Sequence, residues 1–249
     1  MTEPKPYEIE FDAEPVARRI GLIALATDHT TEQDFARICD MDDVGVYVSR
    51  VMFENPITAE NLRLTGPRLT SAVELMLPGE TFDVIAFSCT SASVVLGDDV
   101  VTGFIQVAKP GVCCVTPASA SLAALGALGV KRVTILTPYN ADVTSRMVDY
   151  FADNGADVVS SHCLDFKDDR DMARIKLSSI IEAGVEAMNE NAEALFISCT
   201  ALRAAGCVRE LEQRIGKPVI TSNQALIWRC LRIAGVEKSI AGYGQLFEI

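Results

Sequence analysis

Short apolar runs rich in β-branched residues alternate along the chain with longer segments of mixed polarity. The runs predict strands over 19–26, 44–52, 112–116, 132–137, 158–164 and 218–222, with two more running from Phe82 and from Ala192 into a Ser-Cys-Thr triplet. The intervening segments predict helices beginning near Glu32 and over 58–77, 118–128, 141–154, 177–189, 202–215 and 224–233. A further helix over 91–107 is expected to break near Gly97, and Pro78-Gly79 and Gly129 serve as stops. Residues 1–15 carry three prolines and read as an extended arm. The charged stretch 165–171 reads as a solvated loop, and the tail after Gly242 as a segment laid back on the first half.

Strands alternating with helices predict an α/β fold with short parallel sheets wrapped by helices. The pattern also repeats. Cys89 and Cys199 stand 110 residues apart (199 − 89), each closing an apolar run as Ser88-Cys89-Thr90 or Ser198-Cys199-Thr200. The same offset carries Thr27 onto Thr137, His29 onto Tyr139 and Gly45 onto Gly155. Further on it shrinks slightly, with Lys109-Pro110 matching Lys217-Pro218. A period this long indicates a duplicated domain rather than a solenoid. The expected division is 16–117 with 225–249, about four strands, and 118–224, about four more, related by pseudo-two-fold symmetry across a cleft.

The 249 residues suffice for two domains, and 49% apolar content supplies two cores. A net charge of −12 argues against nucleic acid or an anionic membrane as partner. No apolar run reaches spanning length, and Met1-Thr2-Glu3-Pro4-Lys5-Pro6 lacks the apolar centre of a secretion signal, so a cytoplasmic location is expected. The eight cysteines form no CxxC pair or common zinc spacing and are expected to be free thiols. With two histidines, a His-based metal site is poorly supported, and no metal or organic cofactor is called for.

Each Ser-Cys-Thr cysteine is expected where a strand hands over to a helix, at the carboxyl edge of a sheet, where ligands bind. Helix dipoles and free amides there would favour thiolate. Two such groups on opposite walls of a cleft permit two routes. One thiolate takes a proton from a carbon acid while the other thiol delivers one to the opposite face. Alternatively, one thiolate adds to an activated double bond and leaves after rotation. Both routes need donors for a carbanion beside a carboxylate. Thr90, Ser91 and Thr200 follow the cysteines, while Thr116, Thr221, Ser222 and Asn223 end later strands at the same edge. The other six cysteines read as small buried hydrophobes. Tyr139 reads as a donor to the intermediate, His29 as either a packing residue or a substrate contact, Asp28 and Glu32 as helix caps, and Arg203 as a surface charge.

At these residues the chain resembles the aspartate/glutamate/hydantoin racemase superfamily over nearly its whole length. Both cysteine motifs, Thr137-Pro138-Tyr139 and Gly216-Lys217-Pro218-Val219 are similar to the branch of maleate cis-trans isomerases and arylmalonate decarboxylases. The resemblance implies catalytic roles for Cys89 and Cys199, since the isomerases use both cysteines, and a substrate-binding role for Tyr139. The decarboxylases keep only the second cysteine, so Cys89 counts against decarboxylation. Where the isomerases carry an Asn before Thr-Thr, this chain has His29 before Thr30-Thr31, which counts against maleate. The first strand through Glu32, with Ser198-Cys199-Thr200-Ala201-Leu202-Arg203, resembles the ectoine-utilisation proteins of this superfamily.

The expected function is a cofactor-independent, two-cysteine racemase or isomerase acting on a small carboxylate, with Thr90, Ser91, Tyr139, Thr200, His29 and Asn223 as substrate contacts. The alternatives are a maleate-type cis-trans isomerase, an arylmalonate-type decarboxylase, and a binding module that kept the cleft without turnover. The resemblance further implies a homo-oligomer, a dimer or larger.

Overall fold

The computed structural model describes residues 6–39 and 41–249. Residues 1–5 of the expected arm lie outside the described residues, and 6–15 are exposed without helix or strand. Eight strands follow: β1 (Arg18–Leu25), β2 (Val44–Val51), β3 (Val84–Ser88), β4 (Cys113–Val115), β5 (Arg132–Thr137), β6 (Asp157–Cys163), β7 (Ala194–Ile197) and β8 (Val219–Thr221). They form two parallel four-stranded sheets, ordered β2-β1-β3-β4 and β6-β5-β7-β8. The fold is α/β, and the two sheets repeat one topology.

The central strands explain themselves. β3 and β7 are buried throughout and β1 nearly so, which suits parallel strands covered by helices on both faces. In each sheet the chain moves outward from the first strand to the second, then reverses to pair the third on the other side. That reversal is a topological switch point, the crevice where α/β sheets bind ligands. The switch points lie at the carboxyl ends of β1 and β3 and of β5 and β7. The residues that follow those ends include Asp28, Cys89, Tyr139 and Cys199.

Matching clasps hold the two sheets. The ammonium of Lys109 donates to the carbonyls of Leu77 (3.0 Å) and Glu80 (2.6 Å), just ahead of β3. That of Lys217 donates to Glu190 (2.8 Å) and Ala192 (2.5 Å), just ahead of β7. Likewise Asp83 accepts the Arg19 amide at 2.7 Å, while Glu193 accepts the Arg132 amide at 3.0 Å. The Lys-Pro match in the sequence thus marks a shared device for pinning the loop that feeds each cysteine strand.

The structure corrects two expected helices and the tail, and it shows the expected break at Gly97. The helix expected over 58–77 is split into Ala59–Arg63, a 3₁₀ turn Gly66–Arg68 and Leu69–Glu74, because Pro67 has no amide to donate. The expected break at Gly97 is sharp: Thr90–Leu96 and Asp98–Ala108 meet at 98°. The helix expected from about Leu202 begins later, with a 3₁₀ turn Ala204–Cys207 leading into Val208–Ile215. The tail packs against that last helix and not on the first half alone. Gln245 donates its amide to Glu212 Oε2 at 3.1 Å, and a Cβ on Gly244 would sit 2.4 Å from Val208 Cγ1. Among the described residues no single helix is long and apolar enough to cross a membrane.

Candidate active site

Cys89 follows β3 and is the N-cap of the helix Thr90–Leu96. Its backbone is extended, at φ −152°, and Sγ lies 3.7 Å from Ser91 Oγ. Cys199 follows β7, but no helix starts there. Its φ is +96°, a left-handed conformation that side chains with a Cβ avoid. Side-chain bonds hold the segment that follows it, and two of them cross between the two halves. Thr30 Oγ1 donates to the Ala201 carbonyl (2.8 Å) and Asn223 Nδ2 to the Thr200 carbonyl (3.0 Å). Thr200 Oγ1 reaches the Ser88 carbonyl at 3.2 Å. These bonds draw the carbonyls after Cys199 away from a helical ladder.

The two cysteines line one cavity that leaves only about 20 Å³ of free space, far less than an ordinary ligand site. Tyr139, Thr90, Ser91, Thr200 and Ala201 line it with them. Leu25, Phe53, Ile57 and Leu62 form an apolar wall, and Asp28 and Asp169 complete the lining. Two facing loops close one side. Ile57 donates its amide to the Lys167 carbonyl at 2.9 Å, and Asn55 Nδ2 donates to Asp168 Oδ1 (3.1 Å) and Asp169 Oδ1 (2.8 Å).

Burial governs the electrostatics. It raises the Cys89 thiol to about 11, against the Ala92 amide and the Ser91 hydroxyl, which pull it down. It raises Cys199 to about 12, opposed chiefly by a hydrogen bond from Tyr139. Asp28 and Asp169 add to the rise at Cys89, and Asp169 to that at Cys199. The expectation that helix dipoles would favour thiolate is therefore corrected: in the free cavity both thiols are neutral at pH 7. Burial also pushes Tyr139 well above the usual phenol range, so it is a neutral donor, with Ser198 Oγ 3.4 Å from its oxygen.

Of the predicted contacts, Thr90, Ser91, Tyr139 and Thr200 line the cavity. His29 does not. It is exposed and borders an open depression with Asp168, Arg170, Asp171 and Arg174. Asn223 lies behind the cavity wall, where its Nδ2 bonds Asp34 Oδ2 (2.8 Å) and the Thr200 carbonyl. Thr116 is the N-cap of the helix Pro117–Ala127, and the Arg203 guanidinium binds the Ile175 carbonyl at 2.8 Å. Asp28 does cap, accepting the Thr30 and Thr31 amides at 2.7 and 2.8 Å, yet it also lines the cavity. The missed residue is Asp169. The stretch 165–171 is not wholly solvated, since Asp169 opens a short helix, Asp169–Met172, and is 4% exposed. The repeat carried its signal: the offset that pairs β2 with β6 pairs the loops after them, so both loops belong at the ligand edge. Among the described residues no group of three or more His, Cys, Asp or Glu side chains could hold a metal ion.

Comparison with known proteins agrees with this geometry. The profile of the arylmalonate decarboxylase family matches residues 69–247. The arylmalonate decarboxylase of Bordetella bronchiseptica is 32% identical over 141 residues, 55% of this chain and 59% of that protein. The maleate isomerase of Alcaligenes faecalis is 25% identical over 80% of each chain. Among solved structures, a Nocardia farcinica maleate cis-trans isomerase variant with a covalently bound succinylcysteine intermediate superposes with a TM-score of 0.85 at 20% identity, covering 92% of this chain and 98% of that one. A glycine-to-cysteine, cysteine-to-serine double variant of arylmalonate decarboxylase in liganded form gives 0.82 at 27% identity, covering 93% and 99%. The chain belongs to the arylmalonate decarboxylase family, in the branch of enzymes that it shares with the maleate isomerases.

Proposed function

We propose that the protein is a cofactor-independent isomerase or racemase that uses Cys89 and Cys199 as a pair on a small carboxylate. The observation that carries this reading is that two cysteines from equivalent strand ends line one enclosed cavity with Tyr139. In the racemase form, one sulfur takes the proton from the carbon beside the carboxylate, and the C–H electron pair remains as a carbanion. The other thiol returns a proton from the opposite face, so the two sulfurs exchange protonation states with each turnover. Tyr139 and the hydroxyl of Ser91 are the side-chain donors for the developing charge, the Thr200 hydroxyl being committed to the Ser88 carbonyl. A closed apolar wall excludes the water that would compete for the carbanion. The likeness of the first strand and the second cysteine motif to ectoine-utilisation proteins makes ectoine and its ring-opened acetyl-diaminobutyrate the first compounds to try.

Cis-trans isomerisation is the second reading, favoured by the maleate isomerases among the relatives and by the succinylcysteine in the Nocardia structure. There one thiolate adds to the double bond, the adduct rotates about the new single bond, and the thiolate leaves. Proton NMR in deuterated buffer separates the readings. Loss of an α-proton signal from ectoine, its opened product or aspartate supports proton transfer. Conversion of maleate to fumarate supports the addition route, and carbon dioxide release from an arylmalonate supports decarboxylation. Cys89→Ser and Cys199→Ser should each abolish turnover, and an active Cys89→Ser variant would point to one-cysteine chemistry.

A further inference from the structure

The side chains lining the cavity include two carboxylates and no lysine, arginine or histidine. The two carboxylates are not equivalent. Asp28 is committed within its own turn: Oδ1 accepts two backbone amides, and Oδ2 accepts the Thr31 hydroxyl at 2.6 Å. Asp169 has only neutral donors. Asn55 Nδ2 bonds Oδ1 at 2.8 Å and the Thr27 hydroxyl bonds Oδ2. Each oxygen keeps accepting capacity after these bonds, because a carboxylate offers about four lone-pair sites. No ion pair among the described residues includes Asp169, although it is 4% exposed. A buried carboxylate ordinarily has a cation beside it.

We propose that the substrate of this cavity carries a cationic nitrogen as well as its carboxylate, and that Asp169 is the residue that binds that nitrogen. The substrate class is then an amino-substituted or amidinium-bearing carboxylate, not a nitrogen-free dicarboxylate. A dicarboxylate would bring two more carboxyl groups against the two acidic side chains of an enclosed space, where screening by water is weak. An ammonium group supplies up to three donors to the free lone pairs of Asp169 and removes the mismatch. The same cation serves the chemistry. Asp169 opposes ionisation of both cysteine thiols, and a positive charge seated on it offsets that opposition. A cation seated on Asp169 therefore makes both thiols easier to ionise.

This inference rests on the cavity being the substrate site of the proposed isomerase, but it concerns binding and is tested apart from turnover. Calorimetric titration of the wild-type chain with 2-aminobutyrate, 2,4-diaminobutyrate, 2-hydroxybutyrate, succinate and maleate reads the charge preference directly. At least one amino member should bind tenfold or more tighter than the hydroxy acid and both dicarboxylates. Asp169→Asn should erase that margin and narrow the gap to maleate, with its circular dichroism unchanged. If that variant does not fold, the wild-type series decides alone. Equal or tighter binding of succinate or maleate, or no binding of either amino acid, overturns the proposal. Amino preference without deuterium exchange into any member leaves it standing and removes the proton-transfer reading for these compounds. Exchange into a nitrogen-free acid with the same KM in Asp169→Asn does the reverse.

Discussion

The backbone amide of Cys199 donates to Ser222 Oγ at 3.0 Å. The same oxygen lies 2.8 Å from Thr90 Oγ1, whose hydroxyl donates to it. One serine, at the start of the helix Ser222–Ile233, therefore ties the residue after the first cysteine to the amide of the second. The amide is spent on structure and is not free to bind an oxyanion. Ser222→Ala leaves a buried amide and a buried hydroxyl without their acceptor. Loss of about 1–3 kcal/mol of stability is expected, read by denaturant titration, together with a lower kcat at little changed KM. A variant as stable and as active as wild type would show that the bridge positions neither cysteine.

Cys199 at φ +96° is held in a conformation that costs a residue with a Cβ roughly 1–3 kcal/mol. Glycine bears no such cost. Two variants that both lack the thiol should therefore differ: Cys199→Gly should melt higher than Cys199→Ala, by about 1 kcal/mol after its larger backbone entropy loss is counted. Both should be inactive. Equal stability would mean that the backbone at this position relaxes once the sulfur is gone.

The succession of strands and helices, the duplication and the place of both cysteines after apolar strands are legible in the sequence because they rest on local pattern. Apolar runs, stops such as Pro78-Gly79 and a fixed offset survive without knowledge of tertiary contacts. What was not legible depends on contacts distant in sequence. Cys199 was expected at a helix start because Cys89 is, yet Thr30 and Asn223 capture the carbonyls that such a helix would use. Asp169 looked solvated because its neighbours are charged, and Asn55, 114 positions away, draws it inward. The thiol ionisation is hidden from the sequence for the same reason. Dipoles follow from local structure, whereas burial follows from what packs over it, here the facing loops around Ile57 and Asp169.

Thiol reactivity should report that burial. With pKa values pushed up to about 11 and about 12, Cys89 and Cys199 hold about one thiolate in ten thousand or fewer at pH 7. Cys113 and Cys163 are exposed. Iodoacetamide labelling followed by peptide mass mapping should modify those two first at pH 7. The Cys89 rate should climb about tenfold per pH unit toward pH 11. A raised thiol pKa also means that the unfolded chain releases its proton earlier, so these groups support stability below about pH 8.5. That support fades as pH rises through 11. Labelling of Cys89 as fast as that of Cys163 at pH 7 would refute the neutral-thiol picture.

Asp34 offers a second pH test, away from the thiols. Burial raises its carboxyl to about 6, against the hydrogen bond from Asn223 and the nearby charge of Arg37. In the unfolded chain it titrates near the ordinary aspartate value of about 3.9. Between those values the folded protein binds the proton more tightly, so this group's contribution to stability is complete below about pH 4. It is lost as pH rises through 6. Asp34→Asn removes the titration while keeping an oxygen to accept from Asn223. The melting temperature of the variant relative to wild type should therefore rise between pH 4 and pH 7. Because Asn223 also holds the Thr200 carbonyl, kcat should stay near the wild-type value only if that bond survives the exchange. A difference in melting temperature that does not change with pH would mean that Asp34 is ionised throughout, with its charge met by Arg37, 3.2 Å away.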